Sequence, residues 1–350
     1  MSFIAKLKSI TENAGVFLRV PSRTLWFLQA SFTSFRAACS PVYPLAVTIS
    51  VVLITQNEEV NLPKTLESVM PLVRDGRGEI IIVDSGSTDR TLEIALSYGA
   101  RIFSEPWKGF AGQKNSAMDK ATCDWVLQLD ADEALEPELA KEICQIVEFP
   151  TDLDRKERKG RIQELAYVFS PGTLKEVHQA TQRAGTKTRD YGSFERLSGF
   201  WIPRKNFFLG RWIKHGGFYP DPKLRLVRRG AGKFEEYGAH PTMKVDGPTG
   251  RLKHALIHNA YPTLRGYIDH MNSYSSSGAE MAIESGQRSF NFVNIVLRPL
   301  FTFIYNYFFR LGFLDGCEGL LLHLYHSVYV SWKYAKAWEL GRTQPQGENK

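Results

Sequence analysis

Residues 125–133 read Trp-Val-Leu-Gln-Leu-Asp-Ala-Asp-Glu, an apolar run that ends abruptly in carboxylates. A run of this length and composition predicts a buried strand. Because side chains i and i+2 point to the same side of an extended backbone, Asp130 and Asp132 can face one ligand together. Two carboxylates at this spacing suit a hard divalent cation such as Mg²⁺ or Mn²⁺. A solvated acidic turn before a helix is equally consistent with this stretch. The flanking sequence is therefore needed to distinguish a cation site from such a turn.

Three more apolar runs precede this stretch and alternate with helical patterns. Residues 46–54 and 79–83 predict strands that are buried on both faces, and residues 100–103 predict a short third strand. Helices are predicted over residues 61–73, from a cap at 87–89 to Tyr98, over 113–121 and over 136–147. Strands and helices that alternate in this order predict right-handed crossovers and a parallel sheet.

Polar clusters follow three of the predicted strands, at residues 55–59, 84–89 and 130–133. In open parallel sheets, ligands bind beyond the carboxyl ends of the strands. The three clusters therefore predict one composite site at this edge of the sheet. The first strand is not followed by G-x-G-x-x-G, and the sequence has no G-x-x-x-x-G-K-[ST] motif, which argues against dinucleotide-binding and P-loop proteins.

Composition narrows the class of protein further. The chain has 350 residues, of which 43% are hydrophobic and 23% charged, as expected of a globular protein. The net charge of +7 predicts an anionic partner. Nucleic acid is disfavoured because the basic residues are dispersed and form no known reader motif. The 4 cysteines are scattered, which favours a reducing compartment over a disulfide framework or a zinc site.

The second half of the chain carries weaker signals. Residues 224–229 alternate apolar and basic side chains, and the predicted strand places Arg225 on a polar face that could meet a diphosphate. His254 and His258 lie four residues apart in a stretch that also resembles a strand, so both would share one face. A shared metal ion is one interpretation of this pair, and ordinary structural roles are the alternative.

Two uncharged aromatic stretches lie near the carboxyl terminus, at residues 299–309 and 319–332. Both are shorter than the roughly 20 residues that span a bilayer. Flanking basic residues and abundant tyrosine and tryptophan favour interfacial or re-entrant helices at an anionic membrane surface. A buried helical pair that completes a soluble domain or a dimer is the alternative.

These patterns divide the chain into six segments. They are a basic amphipathic extension (1–45), two halves of an α/β domain (46–150 and 200–288) separated by a charged insert (151–199), membrane-associated helices (289–340) and a polar tail (341–350).

The sequence resembles the family 2 glycosyltransferases of the GT-A fold. It is most similar to the bacterial lipopolysaccharide-core group that adds a β-1,4-linked glucose to heptose. The resemblance covers residues 47–139 and 202–340, and the stretches HGGFYPD (215–221) and LDG (314–316) point to the narrower group. Two features depart from it: the insert is longer than expected, and Pro241 stands where the group usually carries glutamate.

The resemblance implies a GT-A-type, mostly parallel sheet with flanking helices and an inverting, metal-dependent transfer. It implies that Asn57, Glu58 and Asp84 hold the nucleoside. Lys114 would lie near the diphosphate and Asp130 near the ribose, while Asp132 would coordinate Mg²⁺ or Mn²⁺. Asp221 is the first candidate for the general base, with Glu235 and Glu236 as rivals.

The same resemblance implies a nucleotide-sugar donor, with UDP-glucose as the first candidate. The acceptor would be lipopolysaccharide or another lipid-linked molecule at the cytoplasmic face of the inner membrane, where the protein would be peripheral or monotopic. Two alternatives remain open at this point. One is transfer to a polyprenyl phosphate, and the other is a non-catalytic nucleotide-binding scaffold at the membrane.

Overall fold

The computed structural model describes residues 49–148, 197–235, 241–286 and 290–343. The predicted amino-terminal extension and charged insert lie outside these ranges, as do Glu236 and most of the polar tail. Within the described ranges, strands and helices alternate in the first hundred residues, followed by mostly β-structure and then by helices. The elements of the first part are β1 (Ile49–Thr55), α1 (Leu62–Val73), β2 (Gly78–Asp84), α2 (Thr91–Ser97), β3 (Arg101–Ser104), α3 (Gly109–Asp119), β4 (Trp125–Leu129), β5 (Glu133–Leu135) and α4 (Pro137–Val147).

A seven-stranded sheet forms the centre of the α/β domain. The second part of the chain contributes β6 (Gly199–Ile202), β7 (Arg204–Phe208), β8 (Arg211–Trp212), β9 (Lys223–Arg228), β10 (Gly232–Glu235), β11 (Thr242–Val245), β12 (Thr249–Arg251) and β13 (Leu256–Tyr261). The order in the large sheet is β12-β6-β9-β4-β1-β2-β3. β4, β1, β2 and β3 run parallel, whereas β9 is antiparallel to both of its neighbours. The predicted mostly parallel sheet with flanking helices is thus confirmed.

The strands of the parallel half are buried on both faces because alternate side chains enter different layers. Val51 and Leu53 of β1 pack in one apolar cluster with Leu62 and Leu66 of α1. Val52, between them, packs in a second cluster with residues of α3 and β9. A strand covered on both sides needs apolar residues at every position, which is why this part of the sequence reads as nearly continuous apolar runs.

A smaller sheet with the order β5-β13-β7-β8 lies next to the end of β4. β13 pairs antiparallel with β5 and parallel with β7, so that His258 lies opposite Glu133 on one side and opposite Asn206 on the other. β13 begins at Leu256, so His254 precedes the strand and does not share a strand face with His258. The prediction that His254 and His258 share one strand face was therefore wrong. The short second sheet brings together residues of the site from three distant segments, β5, β7 and β13.

The carboxyl-terminal part is helical. It contains α5 (Leu264–Glu284), α6 (Arg298–Ile304) flanked by π-helical turns at Val293–Leu297 and Tyr305–Phe309, a 3₁₀ turn (Gly312–Asp315) and α7 (Gly316–Thr343). α5 and α7 pack through Tyr267, Met271 and Leu322, and further along through Ala279, Ala282 and Ala337. Among the described residues, no helix combines the length and the apolar character that a membrane crossing requires.

Candidate active site

The carboxyl ends of β1, β2 and β4 meet at one edge of the large sheet, as the three polar clusters predict. Thr55 is in register with Asp84, and Leu53 is in register with Leu129, so the three strands end side by side. A cavity of about 910 Å³ opens beyond this edge. Of the residues that the sequence singles out, Glu58, Lys114, Asp130 and Asp132 line it, together with Arg225 and His258.

Asp84 is buried at the end of β2, where it organises the loops beside the cavity. Its carboxylate accepts hydrogen bonds from the backbone N–H groups of Gly86 (2.8 Å) and Ser87 (2.9 Å) and from the hydroxyl of Thr55 (2.9 Å). Burial opposes ionisation of this group, but the hydrogen bonds from Ser87, Gly86 and Thr55 outweigh it and lower the pKa of Asp84. Asp84 is thus a buried anion that holds the loop after β2, and it is not among the residues that line the cavity.

Asn57 joins the loop after β1 to the loop after β2. Its backbone has a positive φ of 56°, a conformation that asparagine adopts more readily than most residues. The Asn57 N–H donates to Ser87 Oγ (2.9 Å), and its side-chain oxygen accepts from the N–H of Thr88 (2.8 Å). Glu58, next in sequence, reaches the cavity, and burial together with the nearby carboxylate of Asp132 raises its pKa against a hydrogen bond from Asn61.

Asp130 lies between two cations. Lys114 Nζ is 2.5 Å from its Oδ1, and Arg225 Nη2 is 2.5 Å from its Oδ2. Burial opposes ionisation of Asp130, but Arg225 and Lys114 outweigh it and hold its pKa well below the usual range. Burial also lowers the pKa of Lys114, against the attraction of Asp130. Asp130 is thus an anion that holds two positive groups at the floor of the cavity.

Lys114 reaches Asp130 from the middle of a helix. The sequence predicts a helix that begins at Gln113, whereas α3 begins at Gly109. Glycine is a poor helix former, so Gly109 and Gly112 prevent the prediction of this first turn from helix propensities. Because Lys114 lies within the helix, it is buried at 7% exposure and its ammonium group points towards the cavity floor.

A second carboxylate below Asp130 was not assigned a role from the sequence. Glu133 is fully buried and accepts from Arg225 Nη2 (2.7 Å) and Arg204 Nη1 (2.9 Å). It also accepts from the backbone N–H of Asp130 (3.2 Å). Arg225, which is 5% exposed, binds Gln128 as well. The sequence signal for this network is a polar glutamine within the apolar strand β4 and an arginine in β9, whose apolar and basic residues alternate.

Asp132 faces a histidine across the cavity floor. Its Oδ2 lies 3.2 Å from Nε2 of His258, whose Nδ1 lies 2.7 Å from Oδ1 of Asn206. The amide of Asn206 is oriented by its other end, because Nδ2 donates to the carboxylate of Asp221 (3.1 Å). Oδ1 must therefore accept, so Nδ1 of His258 carries a proton and Nε2 is directed at Asp132.

This pair has the chemistry of a cation site. A carboxylate oxygen and an imidazole nitrogen, 3.2 Å apart and both facing the cavity, are donor atoms that a divalent cation accepts. Asp132 and His258 are the residues that would hold Mg²⁺ or Mn²⁺, with further ligands from a bound diphosphate. The described residues contain no cluster of three or more His, Cys, Asp or Glu side chains that could hold a metal by themselves.

Asp221, the first candidate for the base, lies beside the cavity in a set of ion pairs. Arg204 Nη2 (2.7 Å) and Lys223 Nζ (3.0 Å) contact its two oxygens. Burial opposes ionisation, but Arg204 and Lys223 lower the pKa of Asp221 to about 2. Its rival Glu235, on β10, pairs with Lys244 of the antiparallel neighbour β11 and is absent from the cavity wall.

Aromatic rings surround the mouth of the cavity. Trp107 and Phe110 meet edge to face with ring centroids 4.8 Å apart, and both are about half exposed. Trp201, Tyr261 and Tyr274 line other parts of the wall. Exposed aromatic faces beside a charged floor are suited to a ligand with a base or sugar ring joined to an anionic group.

The family model for glycosyl transferase family 2 matches residues 50–232, more than half of the chain. The protein therefore belongs to this family and is a glycosyltransferase. Its mostly parallel sheet with flanking helices is of the GT-A type. This confirms the family predicted from the sequence.

Two curated relatives match most of the chain. The lipopolysaccharide core biosynthesis glycosyltransferase LpsC of Rhizobium meliloti is 26% identical over 298 residues, which are 83% of this chain and 92% of LpsC. An uncharacterized glycosyltransferase of Rickettsia felis is 26% identical over 273 residues, 78% of this chain and 83% of that protein.

Solved structures give weaker matches. Glucosyl-3-phosphoglycerate synthase of Mycobacterium tuberculosis, in complex with Mn²⁺, UDP and glucosyl-3-phosphoglycerate, is 29% identical with a TM-score of 0.25, over 31% of this chain and 44% of that one. TarS 1–349 of S. aureus is 14% identical with a TM-score of 0.37, over 84% and 91% of the two chains. At these scores, neither structure assigns a role to any residue of this protein.

Proposed function

We propose that this glycosyltransferase moves a hexose from a nucleotide sugar, with UDP-glucose as the first candidate, to a lipopolysaccharide-core or other lipid-linked acceptor. The relative LpsC, named for lipopolysaccharide core biosynthesis, supports the acceptor class. The reaction would take place at the cytoplasmic face of the inner membrane, in keeping with the net charge of +7 and the supply of nucleotide sugars inside the cell.

One observation carries the proposal: Lys114 and Arg225 flank Asp130 at the floor of a cavity where Asp132 faces His258. A nucleoside diphosphate brings negative charge to this floor, where the cationic groups can meet it. A divalent cation, when bound, would offset the charge that develops on the departing diphosphate. The exposed rings at the mouth would contact the base or the sugar.

The transfer itself is a single displacement. The bond between sugar C1 and the diphosphate oxygen breaks, and the electron pair leaves with the diphosphate. The acceptor oxygen forms the new bond on the opposite face of C1, which inverts the configuration, and its proton passes to a base. Asp221 remains our candidate for this base. With a pKa of about 2 it is a weak base, so an acceptor has to displace Arg204 before the carboxylate can act.

Donor binding tests the donor half of this proposal. Titration calorimetry of the full-length protein with UDP-glucose, UDP-galactose, UDP-GlcNAc and GDP-mannose should show one UDP-sugar binding more tightly when Mn²⁺ is present. Product analysis with heptose-terminated core saccharide and with polyprenyl phosphate then identifies the acceptor. Absence of binding to every donor by folded protein would contradict the proposal.

The role of Asp221 needs its own variant. Asp221→Asn should keep donor binding and lower transfer by about 10²–10⁴-fold, as expected for loss of a general base. If Asp221→Asn keeps full transfer, the base is another group, and Glu235→Gln and Glu236→Gln are the next variants to measure.

A further inference from the structure

An exposed apolar surface, residues 290–314, covers the outer side of the carboxyl-terminal helices. Most of the exposed large apolar side chains in the described part of the chain lie within or beside this segment. Phe301 is 66% exposed and Phe309 is 74% exposed, values that are unusual for phenylalanine in a water-facing helix. A contiguous apolar surface of this kind marks an interaction site.

The outer side of this helical segment is apolar because aromatic residues recur on it at four-residue intervals. Phe301, Tyr305 and Phe309 follow one another at four-residue intervals, and their rings stack with centroids 5.8 Å and 6.3 Å apart. On the other side of the same helical segment, Tyr307 contacts the buried His323 of α7 (6.3 Å between centroids). A helix that only covered a soluble domain would carry polar residues on its outer side.

The charged residues of this surface indicate which kind of partner binds to it. Residues 290–314 contain no aspartate or glutamate, and their charged residues are Arg298 and Arg310, both exposed. Aromatic rings and arginine together suit the interface of a bilayer that contains anionic lipid. In a two-fold dimer the same surface would meet its own copy, which would bring like charges together in an apolar interface.

The apolar surface is joined to the loop that leads to the cavity. Asp315, which follows the surface directly, accepts hydrogen bonds from the backbone N–H of His215 (2.8 Å) and from its Nδ1 (2.9 Å). Gly216 N–H donates to the carbonyl of Arg310 (2.9 Å). The same loop continues to Pro222 and Lys223, which line the cavity. The two stretches HGGFYPD and LDG, about a hundred residues apart, thus form one structural unit.

We infer that residues 290–314 dock on an anionic lipid surface, with the stacked rings inserted at the interface and the arginines at the lipid phosphates. Docking would hold the loop 215–221 and the neighbouring cavity close to the headgroups, where a lipid-linked acceptor is presented. The delivery of an acceptor rests on the proposed function, whereas the docking does not depend on it.

Vesicle co-sedimentation of the full-length protein tests this inference. Wild type should sediment with vesicles of phosphatidylcholine and phosphatidylglycerol, and less with phosphatidylcholine alone. Phe301→Ser and Phe309→Ser should each lower binding by about tenfold, since an inserted ring contributes apolar transfer energy. The matched control is Leu96→Ser on α2, because Leu96 is 64% exposed and lies far along the chain from the surface.

Four measurements separate the outcomes. Circular dichroism establishes that each variant is folded, and UDP-glucose binding in detergent-free solution reports on the proposed function independently of lipid. Vesicle binding that is unchanged in the Phe301→Ser/Phe309→Ser variant would overturn the docking and leave the transferase proposal standing. A wild-type dimer in sedimentation velocity that the same variant dissociates, without vesicle binding, would show a dimer face and would also overturn it. Vesicle binding without donor binding would overturn the proposed function alone.

Discussion

Nε2 of His258 lies 3.2 Å from Oδ2 of Asp132, although Asp132 lies in the turn between β4 and β5, His258 lies in β13, and the two are separated by 126 positions. The register between β13 and β5 sets this distance, since His258 is directly opposite Glu133, the neighbour of Asp132. Asn206 then fixes the ring from the other side. The geometry makes His258 a partner of Asp132 at the cavity floor.

The first prediction concerns this histidine. His258→Ala should weaken Mn²⁺-dependent donor binding by about 10–100-fold, the range seen when the support of a metal site is removed. Calorimetry with and without Mn²⁺ measures the effect. His254→Ala is the matched control, because His254 precedes the strand and is absent from the cavity wall. Equal losses in both variants would contradict the assignment.

The second prediction concerns Arg225, which pairs with Asp130 and Glu133 while almost fully buried. Arg225→Met leaves two buried carboxylates with fewer positive partners and should lower the free energy of unfolding by about 3–5 kcal/mol. Urea denaturation measures the change. Arg229→Met, at an exposed position just after the same strand, should stay within about 0.5 kcal/mol of wild type. If Arg225→Met does not fold, Arg225→Lys gives a milder test in the same direction.

The third prediction is a pH dependence that arises from Asp221. Its pKa is about 2 in the folded protein and close to 3.8 when unfolded, so ionisation favours the folded state by about 2 kcal/mol above pH 4. This contribution is lost as the pH falls from about 4 through 2. Urea denaturation should therefore show wild type more stable than Asp221→Asn at neutral pH, with the difference shrinking in that acid window. A difference that stays constant down to pH 2 would contradict the ion pair with Arg204.

The fourth prediction uses two glycines with a positive φ. Gly216 has a φ of 66°, and a Cβ there would lie 1.9 Å from the ring of His323. Gly216→Ala should therefore lower the free energy of unfolding by about 1–3 kcal/mol from overpacking, in addition to backbone strain. Gly210→Ala, at a φ of 82° with open space around it, separates the strain from the clash. Thermal melts that rank the two variants in the opposite order would show that the loop does not pack on α7 as described.

Much of the fold could be predicted from the sequence, because the parallel strands are covered on both faces and leave continuous apolar runs. The clusters after β1, β2 and β4 likewise indicate a shared edge, since parallel strands end together. Asp130 and Asp132 could be selected in this way. Arg225 and His258 also stand out in the sequence, but their contacts with Asp130 and Asp132 could not be predicted, because they come from strands whose neighbours depend on tertiary pairing.

Roles that depend on burial were also beyond the sequence. Asp84 is predicted to hold the nucleoside, and the structure adds that it is buried and accepts hydrogen bonds from Thr55, Gly86 and Ser87. Glu133 reads as one more acid in a turn, yet it is fully buried between Arg204 and Arg225. Alternation along a strand tells which side a residue faces but not which distant side chain it meets there.

Release of UDP from UDP-glucose in the presence of Mn²⁺ tests the central claim most directly. Wild type should release UDP, Asp132→Ala should fall to the level of a blank without protein, and Asp119→Ala, at an exposed acid on α3, should match wild type. Undiminished release by Asp132→Ala would contradict the claim that Asp132 and the cavity it lines carry the transfer.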